Sequence, residues 1–170
     1  MKAILTEDKR VALNEDILAR IREEKRMRLE NAINADKIKI FLPQAWTLEY
    51  EIAGSSLYKL LATAIKAAQQ EKDHPELEIT DKILNQLWND VTDEFPDGGI
   101  PTKEVVYKIF EPLNDGTVSK AITAQYLAGM LAGELAPVSD GTVNRDEVKY
   151  IVENDDKLKY LVEAIKHVTE

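Results

Sequence analysis

Two glutamates set two residues apart, Glu49 and Glu51, lie in the stretch Lys37-Ile-Lys-Ile-Phe-Leu-Pro-Gln-Ala-Trp-Thr-Leu-Glu-Tyr-Glu-Ile52. Carboxylates bind hard divalent cations, and two or three of them around one ion are needed to hold it. Residues two apart on a helix point in different directions. The pair therefore shares an ion only if Glu49 lies in a non-helical entry. The plainer reading is two acids in a first helical turn, where the macrodipole favours them, and spacing alone favours that reading. Lys120 is the second chemically suggestive residue. It follows Asp115-Gly-Thr-Val-Ser119 and falls in the first turn of a helix. A cation there opposes the dipole. Such a lysine hints at phosphate binding or charge stabilisation, although a solvated lysine is the commoner explanation.

The third feature is a set of aspartate-glycine turns. Asp93, Asp97, Gly98, Ile100 and Glu104 match five positions of an EF-hand calcium loop, but Phe95 and Pro101 stand at two others where oxygen ligands are expected. Asp140, Gly141, Val143 and Glu147 match the second half of another loop, with Ala136 and Val138 in place of its first ligands. Type I turns followed by capped helices produce the same letters, so tight calcium binding is not expected. His74, beside Pro75 with no second histidine near it, reads as a surface residue.

These residues need elements to position them. Ile38, Ile40 and Leu42 alternate with Lys37, Lys39 and Phe41, a strand period that Pro43 ends. After Thr47, a good N-cap, Leu48, Ile52, Leu57, Leu60, Leu61, Ala64, Ile65 and Ala68 recur at helical spacing. Ala3–Thr6 predicts a second short strand, and residues 14 to 33 predict a helix with a charged surface. Together they predict one right-handed βαβ unit with parallel strands over residues 3–6 and 37–42. The remainder reads as helices separated by a polar break over Gln69–Glu76 and turns at Phe95–Gly99, Glu111–Gly116 and Pro137–Gly141. The expected fold class is α/β and predominantly helical, with one or two parallel strands and six or seven helices. A single domain is expected over 1–170, divided into a βαβα core (1–68), a helical insertion (69–115) and C-terminal helices (116–170).

Composition bounds the function. The 170 residues carry a net charge of −9, which makes the chain a poor non-specific binder of phosphate backbones. The chain has no cysteine, which excludes disulfides and a cysteine nucleophile and fits a cytoplasmic setting. No apolar run approaches a membrane span, and the N-terminal apolar stretch is too short for a signal peptide. The expectation is therefore a protein with no membrane partner.

In order along the chain, Ile38-Lys-Ile-Phe-Leu with Thr47-Leu-Glu-Tyr-Glu-Ile-Ala53, then Lys120-Ala-Ile-Thr-Ala-Gln-Tyr-Leu-Ala128, then Asp156–Thr169 resemble the C-terminal Toprim nuclease region of the overcoming-lysogenization-defect (OLD) family of ATP-dependent endonucleases. The resemblance covers residues 37 to 170 and implies a partial Toprim core. It implies that Glu49 and Glu51 help bind Mg²⁺ or Mn²⁺, and that Lys120 and Glu49 assist phosphodiester cleavage of DNA. Glu7 and Asp8 stand where an earlier acidic pair of the family would lie. The chain departs from the family by having no phosphate-binding G-x-x-x-x-G-K-[ST] loop, hence no ATP site, and no earlier Toprim glutamate.

Two functional expectations follow. The first is a truncated Toprim-like fragment of an OLD-type DNA endonuclease, inactive or weakly active alone, with an ATPase or Toprim partner chain supplying what is missing. The second is a non-catalytic helical interaction or regulatory module carrying degenerate calcium-type loops.

Overall fold

A computed structural model describes residues 15–32, 40–96 and 98–169. Among the described residues, eight helices account for the regular structure. They are α1 (Glu15–Ala32), α2 (Leu48–Ala53), α3 (Tyr58–Asp73), α4 (Asp81–Glu94), α5 (Lys103–Asn114), α6 (Lys120–Ala132), α7 (Arg145–Asn154) and α8 (Lys159–Thr169).

The molecule is built around α3. Tyr58, Leu60, Leu61, Ala62, Thr63, Ala64, Ile65, Ala67 and Ala68 are all buried, so apolar residues occupy nearly every direction around its axis. A helix of that kind belongs inside a protein rather than on its face. Four alanines in this run keep the helix slim, and α2, α4, α5 and α6 all pack directly on it. The surrounding helices are one-sided. Leu84, Leu87 and Val91 face inward from α4, and Val106, Ile109, Phe110 and Leu113 face inward from α5. α7 and α8 form a hairpin that meets the body through Val148 and Leu158.

Local signals set the helix ends. Thr47, Thr102, Ser119 and Asn144 each accept a first-turn backbone N–H with their side chains, satisfying donors that have no intrahelical partner. α6 stops at Gly133, which adopts φ +72°, a conformation that costs glycine nothing. Leu135 then folds back over Gly129, where a Cβ would lie 2.6 Å from Leu135 Cδ1.

One turn occurs twice. Pro112-Leu-Asn-Asp-Gly-Thr-Val-Ser-Lys120 and Pro137-Val-Ser-Asp-Gly-Thr-Val-Asn-Arg145 share a pattern and a set of hydrogen bonds. Asp115 and Asp140 accept the N–H groups of Thr117 and Thr142, at 2.8 and 3.0 Å. Val118 and Val143 donate to the carbonyls of Pro112 and Pro137, at 3.0 and 2.9 Å. Both glycines sit at φ +79°. The valines point inward and the next residue caps the following helix, so one motif reverses the chain before α6 and again before α7.

The expected α/β architecture is overturned. Among the described residues there is no strand, so the partial Toprim βαβ core is not the fold. Of the segment 37–42, residues 40–42 are irregular and 37–39 lie outside the described residues, as does the predicted strand 3–6. Physically, Ile40, Phe41 and Leu42 are each half-buried, and Phe41 lies 5.7 Å from the His167 ring of α8. Their alternation satisfies no ladder. The single helix expected from 48 to 68 is also two helices. Ser55 breaks it by donating to the Ile52 carbonyl (2.8 Å) and accepting the Leu57 N–H (3.1 Å), a local competition that serine favours over continued helix.

Glu94 closes the α3–α4–α5 corner by pairing with Lys66 at 2.9 Å and Lys108 at 2.7 Å. The hydrogen bonds from Lys108 and Lys66 hold its carboxyl below the ordinary range. Its contribution is therefore present above the ordinary glutamate pKa and is lost as pH falls through the depressed folded value. Glu94→Gln should flatten the acid side of the stability profile by about 1 kcal/mol or less, because the pair is partly solvated. Leu61→Ala, in the middle of α3, should cost about 2–5 kcal/mol. Urea unfolding of the two variants across pH checks both.

Candidate functional site

The short helix α2 presents both glutamates, and three rings fix it in place. Trp46, Tyr50 and Phe110 pack with centroids 5.3 to 5.8 Å apart, joining the entry loop, α2 and α5. Aromatic contacts of this kind favour tilted and edge-on geometry, and the Tyr50–Phe110 pair is edge-on.

Glu49 and Lys120 are brought together. Lys120 Nζ lies 3.2 Å from Glu49 Oε1 and 5.8 Å from the centroid of Phe110. The lysine at the start of α6 thus has two partners that offset its unfavourable place against the dipole. For Glu49, burial raises the carboxyl pKa. Hydrogen bonds from its own N–H and from Thr47, with the charge of Lys120, outweigh that burial and hold it below the ordinary value.

Glu51 is placed differently. It is 1% exposed, and its carboxylate turns back to accept the Ala45 N–H of its own entry loop, with the Trp46 N–H contributing in the same way. Burial raises its pKa, while those two N–H groups and the charges of Lys157 and Arg22 only partly offset it. Tyr160 of α8 lies in the field of both acids, and burial together with Glu51 and Glu49 pushes its phenol up to about 12. A cleft of about 500 Å³ opens beside Glu51, between Ala19 of α1, the Gln44–Ala45 loop and the start of α5.

The metal reading needs more carboxylates than converge here. Among the described residues no group of three or more His, Asp or Glu side chains is arranged to hold a metal ion. Glu7 and Asp8 lie outside the described residues. The calcium-type loops are also otherwise engaged. Asp140 accepts from Thr142 N–H and from the Asn85 side chain, and Ala136 and Val138 are buried in the core. In the first loop, Asp93 belongs to α4 and Glu104 to the first turn of α5, while Asp97 lies outside the described residues.

Sequence reasoning missed the role of Glu51 and the repeated turn. Periodicity carries no sign that a side chain will turn back to its own entry loop. The repeat was in plain view as Pro-x-x-Asp-Gly-Thr-Val at 112 and 137. Comparison with protein families, with characterised proteins and with solved structures finds no match. Among the described residues no helix is long and apolar enough to cross a membrane.

Because the folded pKa of Glu51 is raised, the native state holds its proton to higher pH than the unfolded chain. Stability therefore falls as pH rises from the ordinary glutamate pKa through the raised one. Glu51→Gln should remove that fall, whereas Glu51→Ala should cost about 1–3 kcal/mol by stranding backbone donors. Thermal or urea unfolding between acid and neutral pH reads both effects.

Proposed function

We propose that this chain is a non-catalytic helical binding module, a regulatory or adaptor domain that docks a partner protein. The observation that carries the reading is the engagement of its chemically capable side chains within the fold. Glu51 is buried on the backbone of its own loop, and Lys120 rests on Glu49 and Phe110. A catalytic carboxylate must reach substrate or ion; Glu51 borders the cleft, but its carboxylate is taken up by the Ala45 N–H and the residue is 1% exposed. The acidic balance, net −9, suits protein partners better than phosphate backbones. With no cysteine in the chain, we place the module in the cytoplasm.

One observation favours a second reading, the OLD-type DNA endonuclease fragment implied by the sequence motifs. Glu49 and Lys120, far apart in the chain, meet at 3.2 Å, close enough for an ion on the carboxylate and the ammonium to reach one phosphate. In that reading Mg²⁺ or Mn²⁺ would sit on Glu49, with further ligands and the ATPase supplied by a partner chain.

Supercoiled plasmid DNA incubated with the chain and Mg²⁺ or Mn²⁺ separates the two. We expect no nicking above the no-protein control. Nicking that requires the ion and disappears in Glu49→Ala would overturn the binding-module reading in favour of the nuclease.

A further inference from the structure

We propose that the segment from Asp155 to Thr169 is a strap that undocks as a unit while the helices packed on α3 stay folded, and that in its closed position it gates the cleft beside Glu51. Its hold on the body is slight. From Asp155 to Thr169 the single buried residue is Leu158. α8 packs on α7, which packs in turn on α6. Leu161, Ile165 and Val168 form an apolar stripe at i, i+4 and i+7, yet Ile165 and Val168 are 62% and 80% exposed. A segment with so few buried apolar contacts opens at a lower free energy than the core. The 11 residues of α8 fall short of the roughly 12–15 at which a free helix becomes even marginal in water, so the undocked strap unwinds.

The base of the strap carries both its hinge and its latch. Asp155 ends α7 in extended backbone, φ −69° and ψ 124°. Its Oδ2 accepts the Ser56 N–H between α2 and α3, at 2.9 Å. Its Oδ1 accepts the Lys157 N–H, at 2.9 Å. Gln44, in the entry loop of α2, donates from Nε2 to the Asp156 carbonyl at 2.7 Å. Toward the tip, the His167 ring meets Phe41. The latch is also the cleft wall, because Gln44 and Lys157 line the same cleft as Glu51. Breaking the Gln44–Asp156 bond and lifting the corner carries Lys157 off that wall and lets water and solutes reach Glu51. A partner that binds the open form shifts the balance toward it.

Hydrogen exchange of the full ¹⁵N-labelled chain across low urea concentrations tests the strap. The α8 amides should be protected, but should exchange about a hundredfold faster than those of α3 and with a much shallower urea dependence. Asp155→Ala should speed α8 exchange about tenfold, and Asp155→Asn, which keeps one acceptor oxygen, should speed it less. Gln44→Ala, at an exposed position, weakens the same latch and keeps every carboxylate. Carbodiimide labelling read by mass spectrometry tests the gate: Glu51 should be labelled about tenfold faster in Gln44→Ala than in the unaltered chain. The proposal is overturned if α8 and α3 exchange with one rate and one urea slope, or if α8 has no protection. It is equally overturned if latch variants leave α8 exchange unchanged, or if Glu51 labelling is the same in both chains. None of these results bears on ion-dependent DNA cleavage, which tests the non-catalytic reading separately.

Discussion

Burial of α3 from four sides is the constraint on which the structure depends. Apart from Lys59 and Lys66, every residue from Tyr58 to Ala68 is buried, and four neighbouring helices pack on this helix to cover it. Covering it fixes where α2, α4, α5 and α6 lie. The meeting of α2 and α6 then decides where Glu49 and Lys120 stand. The potential site is a consequence of covering α3, reached through the Trp46–Tyr50–Phe110 cluster.

That route explains why residues suited to chemistry serve structure here. Lys120 starts a helix, where its charge is unwelcome, and Glu49 and Phe110 compensate it. Glu51 enters the core because it supplies an acceptor to backbone N–H groups in a loop that has no regular structure to satisfy them. Desolvation of the carboxylate raises its pKa, and the Ala45 and Trp46 N–H groups offset that in part. The repeated Pro-x-x-Asp-Gly-Thr-Val turn follows the same logic. Its aspartates satisfy turn N–H groups, which is why letters resembling calcium loops form capped corners instead.

The helices were legible where one face alone is apolar. Leu84, Leu87 and Val91 mark α4, and Val105, Val106, Ile109 and Phe110 mark α5. Legibility failed where a pattern has two physical causes. Ile38 to Leu42 alternate like a strand, yet the described part is a loop of half-buried residues, with Phe41 set against His167 of α8. The apolar period from Leu48 to Ala68 runs through Gly54-Ser55-Ser56 without interruption, and only the hydrogen bonds of Ser55 show that two helices meet there. At the site, the motif resemblance directed attention to Glu49, Glu51 and Lys120. No one-dimensional pattern distinguishes a glutamate that faces an ion from one that turns back on its own backbone.

The central proposal is that these side chains hold the fold together rather than form a metal centre. Paramagnetic broadening of backbone amide signals during a Mn²⁺ titration at neutral pH tests it most directly, because the ion reports its own position. The account predicts no localised, saturable loss of signal around Glu49–Glu51 and Lys120. Saturable broadening centred on those residues, and absent in Glu49→Ala, would contradict it.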